Sequence, residues 1–553
     1  MSLKPQDFSE VPDETAKLAR RAFRRKKNPY LLLRDKLGPL FHDKDFAALY
    51  VSKRGRPAEA PAILAMVLIL QFVEDLSDDA AAMMVASRLD WKYLLGLELD
   101  DPGFDASVLS EFRTRLANSE LVGLFLERIL DLSREEGLLK KRGCQRTDST
   151  HVVGHVQHLN RIECVGKTFQ AALNSLTSVA PRWLQSWMPE VWFERYGQPF
   201  ENYRLPKAAE ERQQLAETIG QDGIQLLQAC YAPAAPAYLR EMEAVEVLRR
   251  VWIQQYTTDE SRLRWRTKDE LPPHAQMICS PYETEVRYTT KRDMHWVGYK
   301  AHLTETCDPD KPHLITHVVT TPSTTADQDV VPGIHADLAA QELLPSTHLV
   351  DAGYTDADLL VESLRDHHVD LVGPVSLDHS WQARAKQGYG LSAFVINWEE
   401  EEVTCPQGVS SSRWSAAQHP DYARPLIHVR FPRKTCHACP VREQCTRSKA
   451  TGRTLTFLTR EPYTALQTRR RQQRTAAFWE RYKSRGGVEG TLSQGVRAFG
   501  LRCARYRGLA KTHLQHVLTA TAMNLARLAA WWQGLKPGAT RFPRFMMLAP
   551  APV

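Results

Sequence analysis

Residues 346–375 read "STHLVDAGYTDADLLVESLRDHHVDLVGPV". The stretch predicts a strand, then Asp351, a turn, a helix and a second strand. That succession is the repeating unit of an α/β sheet. Asp351 falls at the carboxyl end of "HLV", just before Gly353. In open α/β sheets, active sites lie at this end of the strands.

The residues before it extend the pattern. "MHWVGYKAHLTETC" (Met294–Cys307) alternates, and "HLITHVVTT" (His313–Thr321) is rich in β-branched residues. A helix-like "VVPGIHADLAAQELL" then leads into Ser346. Much earlier, "GCQRTDSTHVVGHV" (Gly143–Val156) predicts a strand running up to Asp148, followed by small and hydroxylic residues. A carboxylate ending a core strand is costly unless neutralised. It implies a bound cation, a salt bridge or a catalytic role, and a turn or helix cap is the plain alternative. Two such carboxylates brought into one sheet repel each other, and a divalent cation resolves the repulsion. Mg²⁺ is hard, takes oxygen ligands and is typically held by one or two carboxylates plus substrate phosphates. Two such ions about 3.5–4 Å apart serve the attacking and leaving oxygens of a phosphodiester.

A third carboxylate is needed. From Arg469 to Lys511 there are twelve Lys and Arg residues and only two acids, Glu480 and Glu489. Tyr482, Arg485 and Glu489 are spaced i, i+3, i+7, which on a helix gives one face carrying an aromatic, a phosphate-binding cation and an acid. Gly486 and Gly487 interrupt that helix, each at a cost of about 1 kcal/mol, so it kinks or restarts there. A second basic cluster, "KLARRAFRRKK" (Lys17–Lys27), holds seven basic residues and no acid. Concentrated positive charge implies a polyanion, most simply nucleic acid; a solvated helix face is the alternative.

The chain has 553 residues, a net charge of +7, 43% hydrophobic and 25% charged residues. That length predicts roughly three or four domains of ordinary soluble composition. Its longest apolar run, "AILAMVLIL" (Ala62–Leu70), is about half of what a membrane-spanning helix needs, and the N-terminus lacks a signal-peptide core. A cytoplasmic protein with reduced cysteines is expected. Residues 1–138 predict helices. "GRPAEAPAILAMVLILQFVEDL" has Pro57 near its start, and "FDASVLSEFRTRL" (Phe104–Leu116) carries Arg113 and Arg115 beside an apolar stripe. Short helices ending in an Arg-bearing one fit a DNA-binding module, and equally any helical bundle. Residues 156–283 predict a polar helical insertion. The expected core is therefore assembled from residues 139–155, 284–375 and 461–535. Residues 376–460 form a turn-rich insertion, and 536–553 a flexible tail.

"RTDSTHV", "LVDAGYTDADLL" and a Tyr-x2-Arg-x3-Glu segment, in that order, resemble the bacterial insertion-sequence DDE transposases. The closer similarity is to the subgroup with an N-terminal helical module, a DAGY second acid and the Tyr/Arg/Glu signature. "FDASVLSEFRTRL", "GYKAHLTET" and "RYRGLAKTHLQHVLTATAMNLARL" extend it over most of the chain. The resemblance implies a ribonuclease-H-like mixed-sheet core binding two Mg²⁺ or Mn²⁺ ions through Asp148, Asp351 and Glu489. Tyr482 and Arg485 would contact DNA phosphates, and a homodimer would bridge two ends of double-stranded DNA. The wider signature has a Lys seven residues after the Glu. Val496 stands there, with Arg497 beside it; either Arg497 substitutes or that contact is absent. A stand-alone nuclease on the same core, or an inactive zinc-containing DNA-binding protein, remain alternatives.

The cysteines give a separate signal. Cys436-x2-Cys439-x5-Cys445, preceded by Cys405, suits a tetrahedral structural Zn²⁺ site, with free thiols as the alternative. A small domain poor in apolar residues would need such a staple. His151, His155 and His158 are at helical spacing but continue a strand-like run, where three such side chains do not converge.

Overall fold

The strands before residue 373 are β1 (Arg142–Val153), β2 (Tyr256–Asp259), β3 (Arg262–Trp265), β4 (Arg287–Lys291), β5 (Met294–Thr306), β6 (Ile315–Pro322), β7 (Pro345–Leu349) and β8 (Asp370–Val372). They come from a computed structural model that describes residues 2–25, 27–50, 55–156, 159–259, 262–419 and 424–535. The expected flexible tail, Lys26 of the first basic cluster and His158 lie outside the described residues.

β1 is the axis of the sheet. It pairs antiparallel with β5, from Gln145 opposite Thr306 to Val153 opposite Gly298, and parallel with β7 on its other edge. β8 continues parallel beyond β7. The outer edge of β5 is shared, with β4 along Met294–Gly298 and β6 along Tyr299–Glu305. The order β6-β5-β1-β7-β8, antiparallel then parallel and covered by helices, is the ribonuclease-H-like mixed sheet that was expected.

Asp148 does not end its strand; it lies in the middle of β1. Ser149 and Thr150 look like turn residues, but they face His302 and Ala301 across an unbroken ladder. The Thr150 hydroxyl accepts a hydrogen bond from Arg502 at 2.8 Å.

The two faces of the sheet bury different cores. Val318 packs with Leu303, Ile315 and the last helix, Leu509–Trp532, while its neighbour Val319 packs with the helices Val331–Ala340 and Ala357–His367. The first core runs on into the N-terminal helices. Helix Pro61–Glu74 is buried on every side from Pro61 to Phe72, as a helix apolar all round must be. It starts at Pro61 rather than Pro57. The apolar run is thus a core helix, and no helix among the described residues is long and apolar enough to cross a membrane.

The stretch 161–265 has a core of its own. Phe169 packs edge-on to Trp192 at 5.0 Å, and the indole N–H of Trp252 donates to the Gly220 carbonyl at 2.9 Å. The turn-rich stretch also has one, contrary to the expectation of an apolar-poor region. It contains β9 (Val395–Asn397), β10 (Glu402–Thr404), β11 (Arg413–Gln418), β12 (Pro425–Arg430) and β13 (Thr454–Leu458). Val403, Val429, Phe431 and Phe457 are buried there, and Trp398 meets Trp414 and Phe457 edge-on.

Candidate active site

Along β1, successive side chains point to opposite faces. The Thr147 hydroxyl turns away from Asp148 and bonds Thr304 and His348, both at 2.6 Å. Asp148 faces the helix Gly487–Ala498. Its Oδ1 accepts the Ser149 N–H at 2.8 Å, and its Oδ2 accepts Arg485 Nη2 at 2.6 Å. Nη1 of the same guanidinium reaches Glu489 Oε1 at 3.0 Å. One cation therefore spans two acids that are 341 positions apart in sequence. Asp148 and Arg485 are 14% and 13% exposed, whereas Glu489 is 68% exposed. Arg485 Nε is buried without a hydrogen-bond partner.

Burial pushes the Asp148 carboxyl up to about 6, against the pull of Arg485, and Asp351 pushes it further. Arg485, with a smaller pull from Lys291, does not offset the burial of this carboxylate. Among the described residues, no three His, Cys, Asp or Glu side chains stand together ready to hold a metal ion. Between Asp148 and Glu489, the guanidinium itself takes the bridging place.

Asp351 follows β7 and caps the turn Ala352–Tyr354, its Oδ1 accepting the Gly353 N–H at 2.8 Å. Tyr354 pins that turn to β5 through a 2.6 Å bond to His302 Nδ1. A group not foreseen from sequence lies behind it. Asp327 and Lys300 pair at 3.0 Å, 12% and 14% exposed, and Lys300 also donates to the Thr325 carbonyl at 2.7 Å. A β-carbon on Gly353 would stand 3.1 Å from Asp351 Oδ1 and 3.3 Å from Asp327 Oδ2. A side chain at this position would therefore crowd both carboxylates. The one sequence signal was an acid following a strand, in "TTADQD".

The helix expected to carry Tyr482, Arg485 and Glu489 is three pieces. Tyr482 ends the helix Ala476–Tyr482, Arg485 sits in the 3-10 turn Lys483–Gly486, and Glu489 opens the next helix. Gly487 has an ordinary helical φ, but a β-carbon there would collide with the Arg146 guanidinium. The break lets the chain close over Arg146 and still aim Arg485 at Asp148. Tyr482 stacks on Phe478, and burial raises its pKa, so its hydroxyl stays protonated. Val496 packs against the core, while Arg497 is exposed.

The other expected residues are scattered. Arg113 is buried, paired with Asp78 at 3.0 Å and stacked 4.5 Å from the Tyr506 ring. This leaves it no free face for a phosphate. Arg115 lies over Tyr50 at 5.1 Å and is 31% exposed. Part of the basic segment is also internally paired. Arg469 and Arg481 share Asp370, at 3.0 and 2.6 Å, and Arg505 pairs with Asp75. Cys405, Cys436, Cys439 and Cys445 line one cavity of about 280 Å³. Burial raises the Cys445 thiol pKa, and the other three cysteines raise it further. His151 sits on β1, 5.5 Å from the Trp296 ring, and His155 lies beyond the end of that strand.

Two family models match the chain. Residues 19–115 match "Transposase domain (DUF772)", and residues 404–529 match "Transposase DDE domain". These are the domains of an insertion-sequence DDE transposase. No curated protein and no solved structure matches the chain. The second match takes in the four cysteines, Tyr482, Arg485 and Glu489, and the first takes in Arg113 and Arg115. Asp148 and Asp351 lie outside both matches. The transposase is a nucleic-acid-cleaving enzyme by its DDE domain, and DNA is its partner.

Proposed function

We propose that this transposase binds the ends of its element, hydrolyses a phosphodiester there and joins the freed 3′-OH to target DNA. The supporting observation is that Asp148 and Glu489 share one guanidinium, at 2.6 and 3.0 Å, with Asp351 close enough to raise the Asp148 pKa. The donor set fits a hard divalent cation. It offers carboxylate oxygens, and burial disfavours the ionised form of Asp148 despite its cationic neighbours. Asp148, Asp351 and Glu489 would hold Mg²⁺ or Mn²⁺. When bound, such ions supply activation of the attacking oxygen and neutralise the leaving one.

The chain's own groups do the positioning. Arg485 offers its fork to a phosphate, and Tyr482, kept neutral by burial, offers a hydroxyl donor. Exposed Arg497 and partly exposed Arg115 add contacts to the duplex backbone. Both reaction steps are in-line displacements at phosphorus, which require alignment and charge neutralisation rather than a covalent nucleophile. The enzyme acts in the cytoplasm as a homodimer bridging two ends. Residues 1–138, whose helices share the core of the sheet's first face, contribute to end binding.

Cleavage and strand transfer on DNA carrying the element's ends, in Mg²⁺, test this reading. Asp351→Asn should lower both steps at least about a hundredfold, because metal-borne stabilisation is worth several kcal/mol. Cutting without joining would make the enzyme a nuclease. Equal inertness of both proteins on bound DNA would remove the catalytic reading. The four cysteines are proposed to hold a structural Zn²⁺, because they line one cavity and the Cys445 thiol feels the other three, which raise its pKa. About one zinc per chain, lost in Cys436→Ser, is the expected metal content; a zinc-free protein rejects the site.

A further inference from the structure

Arg485 occupies the space between two of the proposed metal ligands. Its Nη2 takes Asp148 Oδ2 and its Nη1 takes Glu489 Oε1. A divalent ion bound to the same oxygens would have to displace one or both of these bonds. The guanidinium is held on one side by a carboxylate that is 68% exposed, and its buried Nε makes no hydrogen bond. Its element is a short 3-10 turn between Tyr482 and Gly487 rather than a helix interior. Two residues along β1, Arg146 differs. Arg146 gives its Nε to Glu305 Oε1 at 2.7 Å and its two Nη groups to Ser484 and His313, so every nitrogen has a partner.

We propose that Arg485 is a stand-in cation which holds the acids of the DNA-free enzyme and yields them to divalent metal when a DNA phosphate takes its place as partner. This deepens the function proposed above and rests on it. A phosphate competes well for a guanidinium, because it offers the same paired oxygens as a carboxylate and carries a full charge. Once Arg485 turns to phosphate, Asp148 and Glu489 are left as unneutralised neighbours and draw in metal. Metal and DNA then bind with positive coupling, and the coupling is reciprocal by linkage. Without DNA the enzyme is poorly loaded with metal, which keeps its hydrolytic centre idle away from its substrate. With DNA bound, Arg485 on the phosphate and metal on the acids are in place together.

The test measures metal binding, not turnover. Mn²⁺ affinity of the full chain is read by electron paramagnetic resonance of free Mn²⁺, with and without a duplex of the element's end. Wild type, Arg485→Gln, Arg485→Lys and Asp148→Asn are compared, and Asp148→Asn with the same duplex gives the background of Mn²⁺ held by DNA alone. In the absence of DNA, Arg485→Gln should bind Mn²⁺ about tenfold more tightly than wild type, within the range usual for coupled sites. Adding the duplex should tighten Mn²⁺ in wild type by a similar factor and leave Arg485→Gln nearly unchanged. Arg485→Lys, which keeps the charge but cannot span both acids, should fall between them. Thermal melting guards against a folding defect, since Mn²⁺ should raise the melting temperature of Arg485→Gln more than that of wild type. Equal Mn²⁺ affinity for wild type and Arg485→Gln without DNA overturns the stand-in role. Mn²⁺ binding that Asp148→Asn does not weaken overturns the metal site itself, and with it the broader reading.

Discussion

Two arginine–carboxylate clusters join β1 to the helix Gly487–Ala498, and their contact residues on β1 are two positions apart. In the first, Glu305 is fully buried and receives Arg146 at 2.7 Å, Arg527 at 2.8 Å and the Thr491 hydroxyl at 2.6 Å. It has two cations for one acid, and both carboxylate oxygens are bonded. In the second, Arg485 serves Asp148 and Glu489 with Asp351 nearby, so acids outnumber the cation, one acid faces solvent and one nitrogen is unpaired. The same functional groups, on neighbouring elements around β1 and the helix Gly487–Ala498, make a sealed joint in one place and an open one in the other. A buried ionic group contributes structure only when every partner is supplied. Where partners are missing on the acidic side, the arrangement suits a ligand of positive charge.

The sealed joint predicts the largest effect. Glu305→Gln keeps the side chain's shape but leaves Arg146 and Arg527 facing each other without an anion. Breaking one member of a buried ionic cluster costs about 3–5 kcal/mol. Urea unfolding should therefore show a loss of that size. The loss arises because Glu305 ties β1 and β5 to both C-terminal helices. A loss below about 1 kcal/mol would mean that the cluster is as open as its neighbour, and the contrast would collapse.

What could be read from sequence follows the same division. The strand, turn, helix and strand around Asp351 were legible because their periodicity is local. Asp148 was found as a residue but misplaced at a strand end. The ladder that extends β1 to Val153 is supplied by β5, some 150 positions away. Arg113 looked like a free cation beside an apolar stripe, because its ring partner Tyr506 is far along the chain. Lys300 and Asp327 were passed over because each is ordinary in its own segment, and only the sheet brings both behind Asp351. Pattern reading reported which side chains exist and which local element holds them. The pairing of charges across hundreds of residues needed the fold.

The open cluster predicts a smaller effect of opposite sign. Asp148 has its pKa raised from 3.8 to about 6, with burial as the largest cause. Between those values the folded protein binds more protons at this group than the unfolded chain does. Stability contributed here is full below about 3.8 and is lost as pH rises through about 6. At pH 7, without divalent metal, the ionised carboxylate is therefore a burden on the fold. Asp148→Asn removes it, at the expense of one charged contact to Arg485. The net expectation is a gain of about 1 kcal/mol, less than the full shift implies at about 1.4 kcal/mol per unit. Unfolding in chelator at pH 7 should show the variant as the more stable protein, and the gain should vanish by about pH 4, where wild type is protonated. A variant that is less stable at pH 7 would show that the Arg485 contact outweighs desolvation. The open cluster would then stabilise the fold as its sealed neighbour does.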